Sequence, residues 1–251
     1  METLSSPTLA ATTFRTSRGR STPLGATPFA EGVNFVLMCR HGTSVSLVIQ
    51  QVDNDDVLAV AVDAVLTRQT GPVVVNLTTS MLIDDIAASH SAVVHRTPVG
   101  EANVVEEMLA CDAVIGGEGG NGGVIFPAVQ HCRDSYAGMA LWLDVLAGCA
   151  KTVSQLTAEF PRYYRRSATV AIEHGWLGTL MQRLSAEWPA ARLDRRDGLK
   201  LMLDNGWVHA RASNTEPILR LSVEAKSAEQ AEELFTRAKE ILSLSAPSRA
   251  K

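Results

Sequence analysis

The feature that most constrains the fold is an alternation of two hydrophobic periodicities that begins near Asp55. Asp56–Leu66 and Met81–Ser89 place apolar residues at helical spacing, whereas Pro72–Leu77 is a continuous apolar run typical of a buried parallel strand. The alternation continues with strands predicted over Val93–Arg96 and Ala113–Ile115 and helices predicted over Ala102–Ala110 and Tyr136–Ala150. Helices and strands in turn predict an α/β fold, here a three-layer α/β/α domain.

The C-terminal sequence predicts a smaller α+β domain. Leu199–Leu203 and Leu219–Val223 alternate between apolar and polar residues, as half-buried strands do. Ser227 and Gln230 have capping-box spacing, and the apolar stripe that follows predicts a helix across the small sheet. The predicted divisions are 1–51 for an N-terminal arm with a β-hairpin, 52–155 for the α/β domain, 156–193 for a helical linker and 194–251 for the C-terminal domain.

Composition and charge exclude several classes of protein. Of the 251 residues, 46% are hydrophobic and 20% are charged, a balance typical of one or two globular domains with a real core. The formal net charge of −4 and the lack of a basic stripe argue against nucleic-acid binding. No run of about 18 apolar residues predicts a membrane span, and no secretory signal is recognisable.

The cysteines indicate the chemistry of the compartment. Cys39, Cys111, Cys132 and Cys149 form no Cys-x-x-Cys pair and have no adjacent histidine at ligand spacing. This pattern argues against a zinc site and against a disulfide framework. We therefore expect no metal ion in this chain and a reduced, cytoplasmic compartment.

A glycine-rich segment directly follows the third predicted strand. Gly116–Val124 contains six glycines around one carboxylate, Glu118. Glycine permits positive φ and close approach of the backbone to a ligand, and the carboxyl end of a strand is where open α/β sheets bind ligands. A carboxylate placed there could accept hydrogen bonds from sugar hydroxyls. The alternative is a flexible turn with a solvated Glu118.

A second polar segment joins the two C-terminal strands. Arg211–Pro217, followed by Arg220, combines two guanidinium groups, two hydroxyls and an amide. Guanidinium forks, hydroxyls and loop N–H groups suit phosphate oxygens, so the segment predicts a phosphate site on a rigid scaffold. The alternative is an ordinary polar hairpin whose arginines form salt bridges.

Both segments resemble loops of the α-D-phosphohexomutases, which interconvert sugar 1-phosphates and 6-phosphates. Arg211–Pro217 resembles the phosphate-binding loop of that family's last domain. Gly116–Val124 resembles the sugar-binding loop of its third domain, where members carry Gly-Glu-x-Ser-Gly-His or Gly-Gly-Glu-x-Asn-Gly-Gly. Glu118 matches the family's glutamate, although one extra glycine before Asn121 would shift that asparagine out of register.

The resemblance implies roles for named residues. It assigns the phosphate group of a glucose or mannose phosphate to Arg211, Ser213, Asn214, Thr215 and Arg220. It assigns the sugar to Glu118, Asn121, Glu101 and Gly117. Glu101 could instead be a plain helix-N-terminal carboxylate. We interpret Arg133-Asp134, which matches a family pair, as a structural ion pair, and the basic and aromatic stretch Pro161–Arg166 as a solvated connector.

The N-terminal region is of a different kind. Residues 1 to about 30 are rich in Ser, Thr, Pro and Ala and predict a loose arm. Gly32–Met38 and Thr43–Ile49 flank Arg40-His41-Gly42 as in a β-hairpin. The stretch Arg18–Ile49 resembles the start of the N-terminal β-sandwich module of isoamylase-type glycogen-debranching enzymes; the alternative is a chance hairpin.

Two motifs that the resemblance would require for catalysis are absent from the sequence. Phosphohexomutases use a phosphoserine in the first domain and a magnesium ion held by an Asp-Gly-Asp-x-Asp-Arg loop in the second. Neither motif occurs here, and Asp53–Asp56 is better explained as a helix-N-terminal cluster than as a magnesium site. We therefore expect no catalytic residue and no cofactor in this chain.

Three hypotheses follow. The chain is an incomplete phosphohexomutase that needs a complementing subunit, a non-catalytic hexose-phosphate or glucan-binding protein of glycogen metabolism, or a product of gene rearrangement without selected activity. Either a complementing partner or self-association would cover the domain faces that missing domains leave exposed.

Overall fold

A computed structural model describes residues 25–29, 32–36, 53–121, 123–172, 176–213 and 216–243. The helices are α1 (Asn54–Leu66), α2 (Leu82–Ser89), α3 (Glu101–Ala110), α4 (Ser135–Gly148), α5 (Val153–Thr157), α6 (Leu177–Glu187) and α7 (Ala228–Ser243). The strands are β1 (Gly25–Phe29), β2 (Gly32–Val36), β3 (Val73–Asn76), β4 (Val94–Thr97), β5 (Ile115–Glu118), β6 (Gly123–Ile125), β7 (Tyr164–Ala171), β8 (Arg192–Asp194), β9 (Leu199–Leu203), β10 (Gly206–Ala212) and β11 (Ile218–Ala225).

The N-terminal unit, residues 1–50, contains a two-stranded antiparallel hairpin. β1 pairs with β2, with Phe29 opposite Gly32. The predicted strand over Gly32–Met38 is therefore present in part, but Gly25–Phe29 is a strand where a loose arm was expected. The predicted partner Thr43–Ile49 lies outside the described residues, as does most of the stretch that resembles debranching enzymes, and that resemblance stays a prediction.

The α/β module, residues 53–157, is built on a four-stranded sheet in the order β4-β3-β5-β6. β3 runs parallel to β4 and β5, and β6 closes the edge antiparallel to β5. α1, α2 and α4 pack against one face of the sheet, and α3 packs against the other. This arrangement confirms the predicted three-layer α/β/α fold.

Local sequence explains the start of the two longest helices of this module. The Asp53 side chain accepts a hydrogen bond from the Asp55 amide and caps α1, as the interpretation of a helix-N-terminal acidic cluster predicts. The Asp134 side chain accepts hydrogen bonds from the amides of Tyr136 and Ala137 and caps α4. Fixing the entry of both helices positions them side by side over the sheet.

The C-terminal module, residues 164–243, is a five-stranded antiparallel sheet in the order β7-β11-β10-β9-β8 with α6 and α7 in its core. The prediction of a helical linker over 156–193 is wrong for β7, which pairs with β11 along its whole length. Pro161–Arg166 is therefore not a solvated connector throughout. β7 is an edge strand with alternating exposed and half-buried residues, so it lacks the apolar pattern that marks central strands.

Buried polar contacts join the two modules. The Glu224 carboxylate on β11 accepts hydrogen bonds from the Met81 amide (2.7 Å), from Trp207 Nε1 (3.2 Å) and from Arg165 (3.2 Å). Arg165 also forms an ion pair with Asp55 at 2.8 Å. Lys200 donates to the Leu77 carbonyl and lies over the Trp207 ring, and burial lowers its pKa well below the ordinary value.

None of the helices in the described ranges has both the length and the apolar character needed to cross a bilayer.

Candidate functional site

Glu118 is the last residue of β5 and is almost completely buried, with 2% of its surface exposed. Its Oε1 accepts hydrogen bonds from Asn76 Nδ2 at 2.7 Å and from the Gly100 amide at 2.9 Å. Its Oε2 lies 3.6 Å from Arg133 Nη1. The alternative of a solvated Glu118 in a flexible turn is therefore wrong, because strand pairing, two hydrogen-bond donors and the nearby Arg133 guanidinium hold the carboxylate at the carboxyl edge of the sheet.

The glycine-rich segment is a tight β-hairpin rather than a loop. Gly116–Glu118 belong to β5, and a 3₁₀ turn over Gly119–Asn121 leads to the antiparallel strand β6. A Cβ at Gly117 would lie 2.1 Å from the Gly123 carbonyl oxygen. Close packing of the two strands therefore requires glycine at position 117, and sugar binding by Gly117 remains a prediction.

The backbone of Asn121 lies in the turn. The turn is anchored where it begins, because the Gly119 amide donates to Thr79 Oγ1 at 3.1 Å. Sugar binding by Asn121 remains a prediction.

Glu101 begins α3 and is paired with Arg133. Its carboxylate accepts hydrogen bonds from the Arg133 amide at 2.9 Å and from Arg133 Nε at 2.8 Å. These bonds lower the pKa of Glu101. The predicted ion pair between Arg133 and Asp134 is wrong: Arg133 contacts Glu101 and Glu118, while Asp134 caps α4.

The phosphate-site prediction falls on the β10–β11 hairpin. Arg211 on β10 lies directly opposite Arg220 on β11, and the Ser213 amide donates to the Ile218 carbonyl at 2.9 Å. Arg220 is exposed, and its side chain forms no salt bridge or hydrogen bond with any of the described residues. Two like charges on directly opposed residues destabilise a strand pair, so a bound anion would relieve their repulsion. Asn214 and Thr215 lie outside the described residues.

Asp197 connects this hairpin to the glycine-rich site. Its Oδ2 accepts a hydrogen bond from the Val99 amide at 3.0 Å and lies 3.5 Å from Arg211 Nη1. The next amide along the chain, that of Gly100, donates to Glu118. The two predicted sites are about 90 residues apart in the sequence. They are linked through the neighbouring amides of Val99 and Gly100.

Gly198 allows Asp197 to reach this position. Its φ is +78°, and a Cβ there would lie 2.4 Å from the Ala210 carbonyl oxygen. The Asp197 carbonyl accepts a hydrogen bond from His209 Nε2 at 2.7 Å, which fixes the turn against β10. Burial lowers the pKa of His209, which favours the neutral ring.

Comparison with protein families assigns both modules. Residues 53–164 match the model described as "Phosphoglucomutase/phosphomannomutase, alpha/beta/alpha domain III", and residues 165–241 match "Phosphoglucomutase/phosphomannomutase, C-terminal domain". The two matches are contiguous and cover more than half of the chain. The chain belongs to the phosphoglucomutase/phosphomannomutase family.

Curated relatives agree with this family. The chain is 39% identical over 185 residues to a phosphoglucomutase/phosphomannomutase of Thermococcus kodakarensis, covering 72% of this chain and 40% of the relative. It is 34% identical over 171 residues to a probable phosphoglucosamine mutase of Methanococcoides burtonii, covering 68% of this chain and 38% of the relative. The chain thus spans about two fifths of the length of these phosphohexomutases.

Solved structures agree on the fold. A phosphoglucomutase/phosphomannomutase family protein from Burkholderia thailandensis superposes with a TM-score of 0.62 at 22% identity, covering 76% of this chain and 42% of that one.

Sequence reasoning missed several residues of the site in this family member. Asn76 contacts Glu118 and Asp197 contacts Arg211, but neither carries a motif of its own. Val99 and Gly100 belong to the stretch Arg96–Glu101, which resembles the family's loop along the sugar cleft, but the contacts of their amides with Asp197 and Glu118 were not predicted. The Asp197-Gly198 pair does carry a turn signal directly before β9. That signal predicts a turn, but it does not predict that the aspartate contacts Val99.

Proposed function

We propose that this chain binds a hexose phosphate between its two modules, with the phosphate on Arg211 and Arg220 and the sugar near Glu118. The observation that carries the proposal is the connection through Asp197, which brings the guanidinium of Arg211 and the amides beside Glu118 into one site. The names of the curated relatives, which are mutases of phosphorylated sugars, support the substrate class.

The charges of the hairpin support phosphate as the anchored group. Arg211 is one quarter exposed, and its ionic partner among the described residues is Asp197, at the long distance of 3.5 Å. Arg220 is exposed on the opposite strand. Two guanidinium groups side by side can each donate to phosphate oxygens, and charge-assisted hydrogen bonds of this kind are about twice as strong as neutral ones. In this proposal Ser213, Asn214 and Thr215 supply further donors.

The sugar side is proposed to use the Glu118 carboxylate together with Glu101 and Arg133. Oε1 of Glu118 is occupied by two protein donors, whereas Oε2 faces Arg133 at a distance longer than a hydrogen bond. A sugar hydroxyl that donates to Oε2 would give this second oxygen a hydrogen-bond partner. The Glu101 carboxylate and the Arg133 guanidinium add an acceptor and a donor beside it.

We further propose that turnover needs groups that the sequence does not contain. The phosphoserine and magnesium motifs that the resemblance requires do not occur in the sequence. A polypeptide that carries them would have to dock beside this site. The exposed side chains of Tyr136, Met139 and Leu143 support such docking, because they form an apolar stripe at helical spacing on α4.

Isothermal titration with glucose 6-phosphate tests the binding proposal. We expect wild-type protein to release heat and Arg211→Ala to bind about tenfold more weakly, as loss of one charge-assisted contact predicts. Arg237→Ala is the matched control, because Arg237 pairs with Glu187 outside the site. Equal heats for wild type and Arg211→Ala, or no heat from the wild type, would rule out the proposed site.

A turnover assay tests the proposal that the chain lacks catalytic groups. The purified chain with magnesium and a hexose bisphosphate activator should show no mutase activity. Measurable turnover by the chain alone would show that it carries its own catalytic groups. Membership of the family does not favour the glucan-binding alternative, which would require heat with a glucan and none with glucose 6-phosphate.

A further inference from the structure

A side-chain cluster outside the proposed sugar site combines three types of metal ligand. His95, Glu107 and Cys111 each present one ligand atom, and these atoms all lie within 4.8 Å of one another. We propose that this cluster binds one divalent transition-metal ion, with Zn²⁺ the best match. The spacing of the cysteines in the sequence does not reveal this site. The histidine ligand lies on β4, whereas the cysteine lies at the end of α3.

The cluster stands on two rigid elements. His95 lies on β4 in register with Val74 of the central strand β3. Glu107 and Cys111 are four residues apart on α3 and at its C-cap, so they project from the same face one turn apart. The Cys111 amide donates to the Glu107 carbonyl at 3.0 Å, which fixes this last turn.

The core holds the two elements together. Between the ligands, Met108 of α3 is buried in a core cluster with Val74 of β3 and Ala113. The separation between the strand ligand and the two helix ligands is therefore set by packing and not by the ligands themselves. A site of this kind needs only side-chain rotation to close around an ion.

The geometry requires a small adjustment. His95 Nδ1 and Glu107 Oε1 are 2.7 Å apart and share a hydrogen bond. Around a tetrahedral zinc ion, with Zn–N about 2.0–2.1 Å and Zn–S about 2.3 Å, ligand atoms are separated by roughly 3.3–3.8 Å. Binding therefore replaces the shared proton with the ion, moves this pair apart by about 0.6 Å, and draws in the Cys111 thiolate.

The chemistry of the three ligands favours a transition metal. An imidazole and a thiolate select zinc-like ions over calcium or magnesium, which prefer oxygen ligands. The thiolate and the carboxylate together balance the charge of a divalent ion, so the bound site is neutral. All three side chains are partly exposed, which leaves the fourth position to water.

The position of the cluster gives the ion a structural role. His95 precedes and Glu107 follows the segment Thr97–Gly100, whose Val99 and Gly100 amides contact Asp197 and Glu118. An ion that ties β4 to α3 would hold both ends of this segment. Zinc should therefore raise the melting temperature of the protein whether or not a sugar phosphate binds.

Cobalt and zinc titrations of the metal-free, reduced full chain test the proposal. We expect a thiolate-to-cobalt charge-transfer band that saturates at one equivalent, and retention of one zinc ion against a chromophoric chelator. Cys111→Ser should abolish the band, and His95→Ala should weaken zinc binding by about tenfold or more. Cys149→Ser is the matched control, because Cys149 lies at the end of α4 and outside the cluster.

A second readout does not depend on the folding of variants. In the wild-type chain, zinc should slow alkylation of Cys111, measured by peptide mass spectrometry, and leave alkylation of Cys149 unchanged. The proposal is overturned if Cys111 and Cys149 respond alike, if the charge-transfer band persists in Cys111→Ser, or if the chelator removes all zinc from the wild type.

Discussion

The two halves of the proposed site present charge in opposite ways. In the α/β module, Glu118 is buried and has two donors on one oxygen and Arg133 near the other. On the C-terminal hairpin, Arg220 is exposed and Arg211 has a long contact with Asp197. The carboxylate is already paired by the protein, whereas the guanidinium groups lie where an external anion can reach them.

This difference separates two contributions to a binding site. A buried, paired group belongs to the stability of the fold, because removing it leaves buried donors without partners. An exposed group contributes little to stability and can give most of its interaction energy to a ligand. Substitution of the buried Glu118 should therefore mainly lower the free energy of unfolding. Substitution of the exposed Arg220 should mainly weaken ligand binding.

The largest effect should come from Glu118→Ala. The substitution leaves Asn76 Nδ2 and the Gly100 amide without their acceptor. At about 1–3 kcal/mol for each buried unpaired donor, the free energy of unfolding should fall by about 4 kcal/mol, as measured by urea denaturation.

Two further variants sharpen this result. Glu118→Gln keeps one acceptor oxygen and should lose less than half as much stability as Glu118→Ala. Glu106→Ala, an exposed change on α3, should stay within about 0.5 kcal/mol of the wild type. A loss below about 1 kcal/mol for Glu118→Ala would show that the buried carboxylate does not organise the sheet edge.

The next largest effect concerns Asp55, a second buried carboxylate. Burial raises the pKa of Asp55 from 3.8 to about 6, and Arg165 opposes this shift. Because the folded state then binds a proton more tightly than the unfolded state, the contribution of Asp55 is fully present below about pH 4 and is lost as pH rises through about 6. The pKa difference corresponds to at most about 3 kcal/mol.

Asp55→Asn should remove this part of the pH dependence. The difference in unfolding free energy between wild type and Asp55→Asn should change between about pH 4 and pH 6, in favour of the wild type at the acid end. Asp144→Asn is the control, because Asp144 lies on the surface of α4. Parallel pH profiles for wild type and Asp55→Asn would contradict the buried, proton-binding state of Asp55.

A smaller effect is expected at the junction of the two regions. Gly198→Ala places a Cβ against the Ala210 carbonyl at a φ of +78°, which should cost about 1–3 kcal/mol of stability. The change also displaces Asp197 from Arg211, so glucose 6-phosphate affinity should fall together with stability. Unchanged affinity in a folded Gly198→Ala protein would show that the turn does not couple the two halves.

The smallest effect on stability should be that of Arg220→Ala. The side chain is exposed and lies opposite another arginine, so the unfolding free energy should stay within about 0.5 kcal/mol or rise slightly. Glucose 6-phosphate affinity should nevertheless fall about tenfold in isothermal titration. A large loss of stability with no loss of affinity would show that Arg220 serves the fold and not the binding of the phosphate.

The elements with strong periodicity were predictable from sequence. The helices predicted over Asp56–Leu66 and Met81–Ser89 match α1 and α2 to within two residues at either end, because their apolar spacing reports a buried face directly. β7 was not predicted, since an edge strand that directs Arg165 to the neighbouring module and Arg166 to α7 shows no apolar alternation. The glycine-rich segment predicts a loop, because glycine signals turns, whereas in the structure its glycines permit close packing of β5 and β6.

The site was predictable only in part for a related reason. Residue types identified the carboxylate and the arginines, but pairing partners depend on which loops the fold brings together. Asp197 contacts Val99 across nearly 100 positions of sequence, and no local pattern encodes that contact. The same holds for His95, which meets Glu107 and Cys111 only because β4 packs beside α3.

The Glu224 carboxylate has a consequence for how the molecule opens in solution. It accepts the amide hydrogen of Met81, at the start of α2, although Glu224 belongs to the other sheet. Amides at the start of a helix usually exchange with solvent by fraying, without unfolding of the protein. Exchange at Met81 should instead require the two sheets to separate, so its deuterium uptake would report the separation of the modules and be among the slowest in the chain.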